Sequence, residues 1–531
     1  MKLLNLTVTP VGLHQQVREG EGRWALSLSP AGDEPVRLDT VSAEFGFDFT
    51  PEDICFLNGY QSWTYSPERT LSQQDKSMRL CPDFLDRKFG FSRYADFFSP
   101  KTPAGVKKGW TYAYVRRGLL YHLFASCAED TGFTRVEFIP KAHSVRFTKD
   151  CAGRVLQPGE EYNALDLFWA EGGERDVFDG WFAAMGKKAL PAPPKTGYTS
   201  WYNCYQDISE AQILRDLEGL KALPIRPDIF QIDDGYETFV GDWLDVDEKK
   251  FPNGLEPVLA AIRDAGYEPG LWLAPFVAEK NSALYRDHPD WFLWEGKERV
   301  FAGGNWSGHY ALDLYHPEVR DYLRKVFDHY RAMGFTLFKL DFLYGVCMCP
   351  RPDKTRGEIM AEAMDLLREL CGDARILGCG VPLASAFGRV EYCRIGPDMS
   401  LSYDDKAFMR LFHNERPSTL HTQRNTIFRR QLDGRAFRND PDVFLLREEN
   451  TTLTQEQKHT LAVVNALFGS VLFGSDDFGA YDEKKKSLFQ ALCKLQKAEL
   501  ISVEPGVPGK TQTIVVAYRE AGEEKTIQLT V

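Results

Sequence analysis

Past the Pro-rich stretch Leu190-Pro-Ala-Pro-Pro-Lys-Thr-Gly197, short apolar runs alternate with amphipathic helical segments eight times. That rhythm constrains the fold more than any other feature. The runs are Tyr198–Tyr202, Ile229–Ile232, Gly270–Ala274, Thr336–Leu340, Ile376–Cys379, Glu391–Ile395, the region of Asn439–Val443, and Ser470–Phe473. Short, nearly continuous apolar runs bounded by Gly, Pro and Asp read as strands buried on both faces. The segments between them carry apolar residues at helical spacing. Val319, Tyr322, Leu323, Val326, Phe327 and Tyr330 form one such stripe, closed by Gly334, and Ser209 with Gln212 has capping-box spacing ahead of Ile213, Leu217 and Leu220. Eight β/α units with right-handed crossovers predict a closed parallel barrel, the (β/α)8 or TIM barrel.

The flanks have a different rhythm. Before the linker, Trp24–Leu28, Ser42–Phe49, Gly109–Val115, Leu119–Ala125 and Ser144–Phe147 are short and alternating, separated by turn residues. They predict an all-β sandwich. Thr511–Tyr518 and Lys525–Val531 return to strand-like alternation at the other end. The expected division is an N-terminal β-sandwich domain over 1–188, a barrel over 189–482 and a short C-terminal β-domain over 483–531.

Composition narrows the partners. Charged residues are 26% of the chain and hydrophobic ones 43%, with a formal net charge of −12 and no basic cluster. This argues against nucleic acid and anionic membranes and for a small uncharged ligand. The 11 cysteines fall without paired zinc or disulfide spacing. With an N-terminus that lacks a signal-peptide core, they predict reduced thiols in a cytoplasmic protein.

Chemistry collects at the strand ends. In Phe338-Lys339-Leu340-Asp341-Phe342 two charges sit at i and i+2 and so emerge on one side of a buried strand. The C-terminal mouth of such a barrel is where catalysis is placed. Other strand ends supply Trp201, Asp233 and Asp234, Trp272, Cys379, and Arg394 with Asp398 beyond. Carboxylates accept hydrogen bonds from hydroxyls, Lys and Arg donate, and rings stack on C–H faces, so the set suits a carbohydrate site. Two opposed carboxylates would cleave a glycosidic bond. Lys339 and Arg394 put positive charge where a divalent cation would sit, so neither metal nor other cofactor is expected. The aromatic loop Asn58–Tyr65 reads either as hairpin core or as a lid over a neighbouring site.

The stretches Ser200-Trp201-Tyr202, Phe230–Tyr236, Gly241–Leu244, Phe338–Phe342, Ile376–Gly380, Arg394–Asp398 and Asn439–Asp442 occur in the order found in the melibiase group of glycoside hydrolase family 36, which the chain resembles. The resemblance implies a retaining exo-α-galactosidase acting on small α-galactosides. It implies Asp341 as nucleophile and Asp398 as acid/base. Asp233, Asp234 and Lys339 would bind the 4- and 6-hydroxyl side, with Arg394 toward O2, Trp201 and Trp272 as platforms, and Cys379 limiting space. Tyr60 or Trp63 would lean over the pocket. The same family holds α-N-acetylgalactosaminidases and galactosyl transferases, and an inactive carbohydrate-binding protein on this scaffold is the alternative of another class.

Overall fold

The structure, a computed structural model, describes residues 1–73, 90–96, 102–404 and 413–531. Its centre is a ring of parallel strands: β1 (Lys195–Thr199), β2 (Ile229–Ile232), β3 (Glu268–Leu273), β4 (Leu337–Leu340), β5 (Arg375–Gly378), β6 (Tyr392–Arg394), β7 in two pieces (Arg438–Asp440 and Val443–Phe444) and β8 (Val471–Gly474). Neighbours pair in chain order, and β1 pairs with β8. Strand β7 closes the ring by being broken. Pro441 has no N–H for a ladder, and Asp442 turns the chain at φ 74°. The first piece therefore pairs with β6 (Arg394 opposite Asp440) and the second with β8 (Val443 opposite Phe473). The expected TIM barrel is present.

Several local expectations are corrected. The first strand stops at Thr199 rather than Tyr202, and Trp201–Cys204 form a helical turn. Ser475 Oγ at the end of β8 accepts from the backbone N–H of Tyr202 (2.9 Å) and Asn203 (3.2 Å), which favours the turn over extension. Ser209 caps its helix by accepting from Gln212 N. The Gln212 side chain bonds Asp216 (2.8 Å), so only half of the capping box forms. The stretch opening at 483 is a helix, Glu483–Leu495, capped by Asp482. Its Phe489 packs on Phe444 and Phe478 of the barrel, and strands begin only at Glu499.

The N-terminal segment forms two antiparallel sheets of five and seven strands. Trp24, Leu26, Val41, Phe45, Phe124, Phe138, Phe147 and Leu165 pack into one apolar core drawn from both sheets. One break in that pattern is Thr111, whose positive φ of 68° splits the predicted run Gly109–Val115 into two strands belonging to different sheets. A three-stranded antiparallel sheet (Glu499–Pro505, Thr513–Glu520, Glu523–Thr530) ends the chain.

The N-terminal segment reaches the barrel mouth through residues 58–66. Arg429, fully buried, donates to Asn58 Oδ1 (3.0 Å), Ser62 O (2.6 Å), Gln61 O (3.3 Å) and Ser66 Oγ (2.9 Å), and to Ile395 O (2.8 Å) just past β6. Asn425, on the helix Thr419–Phe428 that ends just before Arg429, adds a bond from its Nδ2 to Thr64 O (3.0 Å). Five donors in a fixed fork match five acceptors, which a flexible ammonium would not do. Among the described residues no helix is long and apolar enough to cross a membrane.

Candidate active site

The strand ends open into a cavity of about 420 Å³. Its floor is set by one buried ion pair. Lys339 Nζ donates to Asp233 Oδ2 at 2.9 Å, and that carboxylate also accepts from Gln231 Nε2 (2.8 Å) and Thr199 Oγ1 (3.2 Å). Lys339 and Asp341 do face the same side, as the strand period requires, but Lys339 spends its bond on Asp233. Burial pulls its ammonium down, the Asp233 charge pushes it up, and the outcome is a rise. Asp234 beside it accepts from Trp306 Nε1 (2.9 Å) and Gln206 Nε2 (3.2 Å). Burial raises the Asp234 carboxyl, and burial together with the Asp234 charge raises Glu237 well above the usual range.

Asp341 is held by two donors, Trp272 Nε1 to Oδ2 (3.1 Å) and its neighbour Phe342 N to Oδ1 (2.9 Å). The chain turns left-handed at Phe342 (φ 52°) to present that amide. Gly380 makes room, since a Cβ there would lie 3.0 Å from Phe342 N and from the Trp63 ring. Burial raises the Asp341 carboxyl, with Lys339 acting against that rise and Asp398 adding to it. Lys339 thus favours the ionised carboxylate, and desolvation outweighs it.

Asp398 stands on the β6 side, with 39% of its side chain exposed. Its Oδ1 accepts from Arg394 Nη1 at 2.9 Å. The same guanidinium meets Asp440 (3.1 Å) and Asp442 (2.8 Å), so three carboxylates share one cation. Asp442 is turned inward by the break in β7 and also accepts from Tyr202 OH (2.6 Å) and Met399 N (2.7 Å). Burial lifts its carboxyl to about 7, against the pull of Arg394.

Of the residues singled out from sequence, Trp63, Trp201, Asp233, Asp234, Trp272, Lys339, Asp341 and Asp398 line this one cavity. Three others do not. Tyr60 packs edge-on against Trp110 and Phe133, with its hydroxyl 3.6 Å from Cys347 Sγ, because the loop turns it toward the N-terminal sheets. Cys379 lies behind the wall, where its Sγ accepts from Trp63 Nε1 (3.2 Å), and burial holds its thiol well above the usual value. Arg394 lies behind Asp398, occupied by carboxylates. Sequence reasoning missed Trp306, Tyr94, Gln206, His413 and Glu415 on the lining. Trp306 had a signal, the turn Gly303-Gly304-Asn305-Trp306-Ser307-Gly308, and the others had none. Among the described residues the one His/Asp/Glu cluster with metal-ligand spacing, Asp290, His316 and Glu318, contributes nothing to the lining.

The Melibiase family model matches residues 198–348, from β1 through the connection after β4. A solved α-galactosidase of Thermus thermophilus, TtGalA in complex with p-nitrophenyl α-D-galactopyranoside, superposes with a TM-score of 0.72 at 25% identity, covering 96% of this chain and 98% of that one. Residues 198–348 thus carry a Melibiase domain. Among curated proteins similar to this chain, α-galactosidase C of Emericella nidulans is 32% identical over 213 residues (36% of this chain, 27% of that protein). The probable α-galactosidase C of Aspergillus flavus is 29% identical over 419 residues (72% of this chain, 53% of that protein). The chain thus spans about half the length, or less, of those curated relatives. The family 36 enzyme AgaA of Geobacillus stearothermophilus, at 14% identity and a TM-score of 0.64 over 94% of this chain and 72% of its own, shares the fold.

Proposed function

We propose that the protein is a retaining exo-α-galactosidase that removes terminal α-D-galactosyl residues from small galactosides. The observation that carries this reading is the buried Asp341, aimed by an indole N–H and a backbone amide, facing the same cavity as the part-exposed Asp398. In the first step an Asp341 oxygen attacks the anomeric carbon while Asp398 gives a proton to the departing oxygen, leaving a β-linked galactosyl-enzyme. In the second step Asp398 takes a proton from water, which displaces Asp341 and restores the α-configuration. Arg394 aims Asp398 rather than touching sugar. Asp233, Asp234 and Lys339 are the charged partners for hydroxyls of the bound ring, and Trp201, Trp272 and Trp306 enclose it.

The same proposal assigns the N-terminal sheets up to about residue 188 to a β-sandwich domain, extends the barrel through the helix ending at Leu495, and leaves the last three strands as a small β-domain. The ten cysteines among the described residues are all free thiols, which supports a reducing, cytoplasmic setting.

A panel of nitrophenyl α- and β-glycosides tests the reading. The α-galactoside should be cleaved far faster than the α-N-acetylgalactosaminide, and about three decades faster in kcat/KM than the α-glucoside, whose 4-hydroxyl leaves a charged partner unmet. Asp341→Gly should lose roughly four decades of kcat, and azide should restore turnover with β-galactosyl azide as product. A first-formed β-galactose, or normal turnover by that variant, would overturn the mechanism.

A further inference from the structure

The turn after β2 brings a second buried carboxyl up behind the cavity floor. Gly235, at φ 116°, folds the chain back so tightly that a Cβ there would lie 2.7 Å from Gln206 O. Past it the backbone is pinned, with Asp247 N donating to Tyr236 O (2.9 Å), Thr238 N donating to Asp245 O (2.9 Å), and Glu237 bridged to Val246. Glu237 is thereby fixed with 4% of its surface exposed, and it takes no part in the cavity lining. Its Oε2 accepts from Gly235 N (3.3 Å), and its carboxyl is hydrogen-bonded to that of Asp234.

Two carboxylates are acceptors only, so a bond between them needs a proton. The surroundings decide which one holds it. Asp234 lines the cavity and accepts from Trp306 Nε1 (2.9 Å) and, through both oxygens, from Gln206 Nε2 (3.3 and 3.2 Å). Glu237 has only two backbone amides, its own and that of Gly235, and no cation faces it among the described residues. Its other titratable neighbours are Tyr236 and Tyr330, which give their hydroxyl protons to Trp272 O and Trp243 O. Lys250 spends its ammonium on Gln206 O and Gly235 O. Burial and the Asp234 charge push the Glu237 carboxyl well above its usual value, while the bond between them acts against the rise of Asp234.

We propose that Glu237 is a positioning residue, a neutral acid whose O–H donates to Asp234 and holds that carboxylate as an ionised acceptor turned toward a hydroxyl of the bound ring. A neutral donor fixes the orientation of Asp234 without cancelling its charge, as a lysine or arginine in the same place would. The inference rests on the galactosidase reading above, which supplies the hydroxyl.

The test pairs Glu237→Gln with Glu237→Leu. A Gln amide still donates to Asp234 and still accepts from Gly235 N, and a Leu does neither. With nitrophenyl α-galactoside, Glu237→Leu should lose at least about tenfold in kcat/KM, mostly through KM, which is the share of one hydrogen bond to a charged group. Glu237→Gln should recover that loss to within about threefold of wild type. In the infrared difference spectrum of wild type minus Glu237→Gln at neutral pH, the band lost should be the C=O stretch of a neutral carboxyl. Loss of carboxylate bands instead, equal damage in the two variants, or no loss in Glu237→Leu overturns the proposal. Should Glu237→Leu fail to fold, the infrared band and the kinetics of Glu237→Gln decide. If wild type cleaves no α-galactoside, the galactosidase reading falls and the hydroxyl assignment with it, whereas the infrared difference still decides whether Glu237 holds the proton.

Discussion

Replacing Lys339 by Met isolates the charge on which the cavity floor depends. The pair Lys339–Asp233 is 2.9 Å long, with side chains 8% and 2% exposed, so water does little to screen it. Removing one partner of a buried pair costs about 3–5 kcal/mol, because the other charge stays buried and uncompensated. Asp233 keeps Gln231, Thr199 and the amide of Asp234 as donors, which places the expected loss near about 3 kcal/mol. The raised lysine fixes the pH window. A cation whose folded pKa lies above its unfolded value contributes stability in full below that unfolded value, about 10.4, and loses it only as pH rises through the folded one. The deficit of Lys339→Met should therefore be flat from pH 7 to 9. Lys339 also acts against the rise of Asp341, so its loss raises that carboxyl further and moves the acid limb of kcat/KM to higher pH. The assay is urea unfolding of wild type, Lys339→Met, Asp233→Asn and the double variant, with a pH–rate profile for each active protein. If the double variant equals the sum of the singles within about 0.5 kcal/mol, or the acid limb stays put, the reasoning fails.

Two further outcomes are expected. Asp442, lifted to about 7 in the folded state and near 3.9 unfolded, takes up a proton on folding between those values, so wild-type stability falls as pH rises through that window. Asp442→Asn lacks this term, and its Tm relative to wild type should climb from pH 5 to pH 8; a constant difference would contradict the assignment. Arg429→Lys keeps the charge but cannot span five acceptors, so it should lower stability by about 2–4 kcal/mol and raise KM through a displaced Trp63, whereas a Tm within 1–2 °C of wild type, on the order of experimental scatter, would remove the loop from that role.

What the sequence made legible is what repeats or sits at a strand end. The eight strands announced themselves because parallel strands buried on both faces must be apolar runs, and Ile229–Ile232 was located to the residue. Asp233, Asp234, Lys339 and Asp341 followed, since a charge ending such a run has only the mouth to occupy. Partners across the ring were not legible. The i and i+2 period aligned Lys339 with Asp341 correctly, but nothing local says that a four-carbon stem crosses β3 to reach Asp233. Strand period also fails in irregular turns, which is why Tyr60 and Trp63, three residues apart on one loop, point to opposite sides. His413 lies in a connection without periodicity, and only packing against Phe91 and Tyr94 gives it a place.

The fork of Arg429 carries an evolutionary consequence. Part of the pocket wall, Trp63 and Tyr94, is encoded ahead of the Pro-rich linker, while the anchor that seats it is encoded in the barrel. The two stretches cannot drift independently. A chimera that swaps everything before the linker for a foreign counterpart must bring carbonyls and hydroxyls matching that guanidinium, or it inherits a barrel with a missing wall. Gene-shuffling libraries built on this chain should therefore recombine the two stretches together, and lineages of such chains should record linked substitutions at Asn58, Ser66 and Arg429.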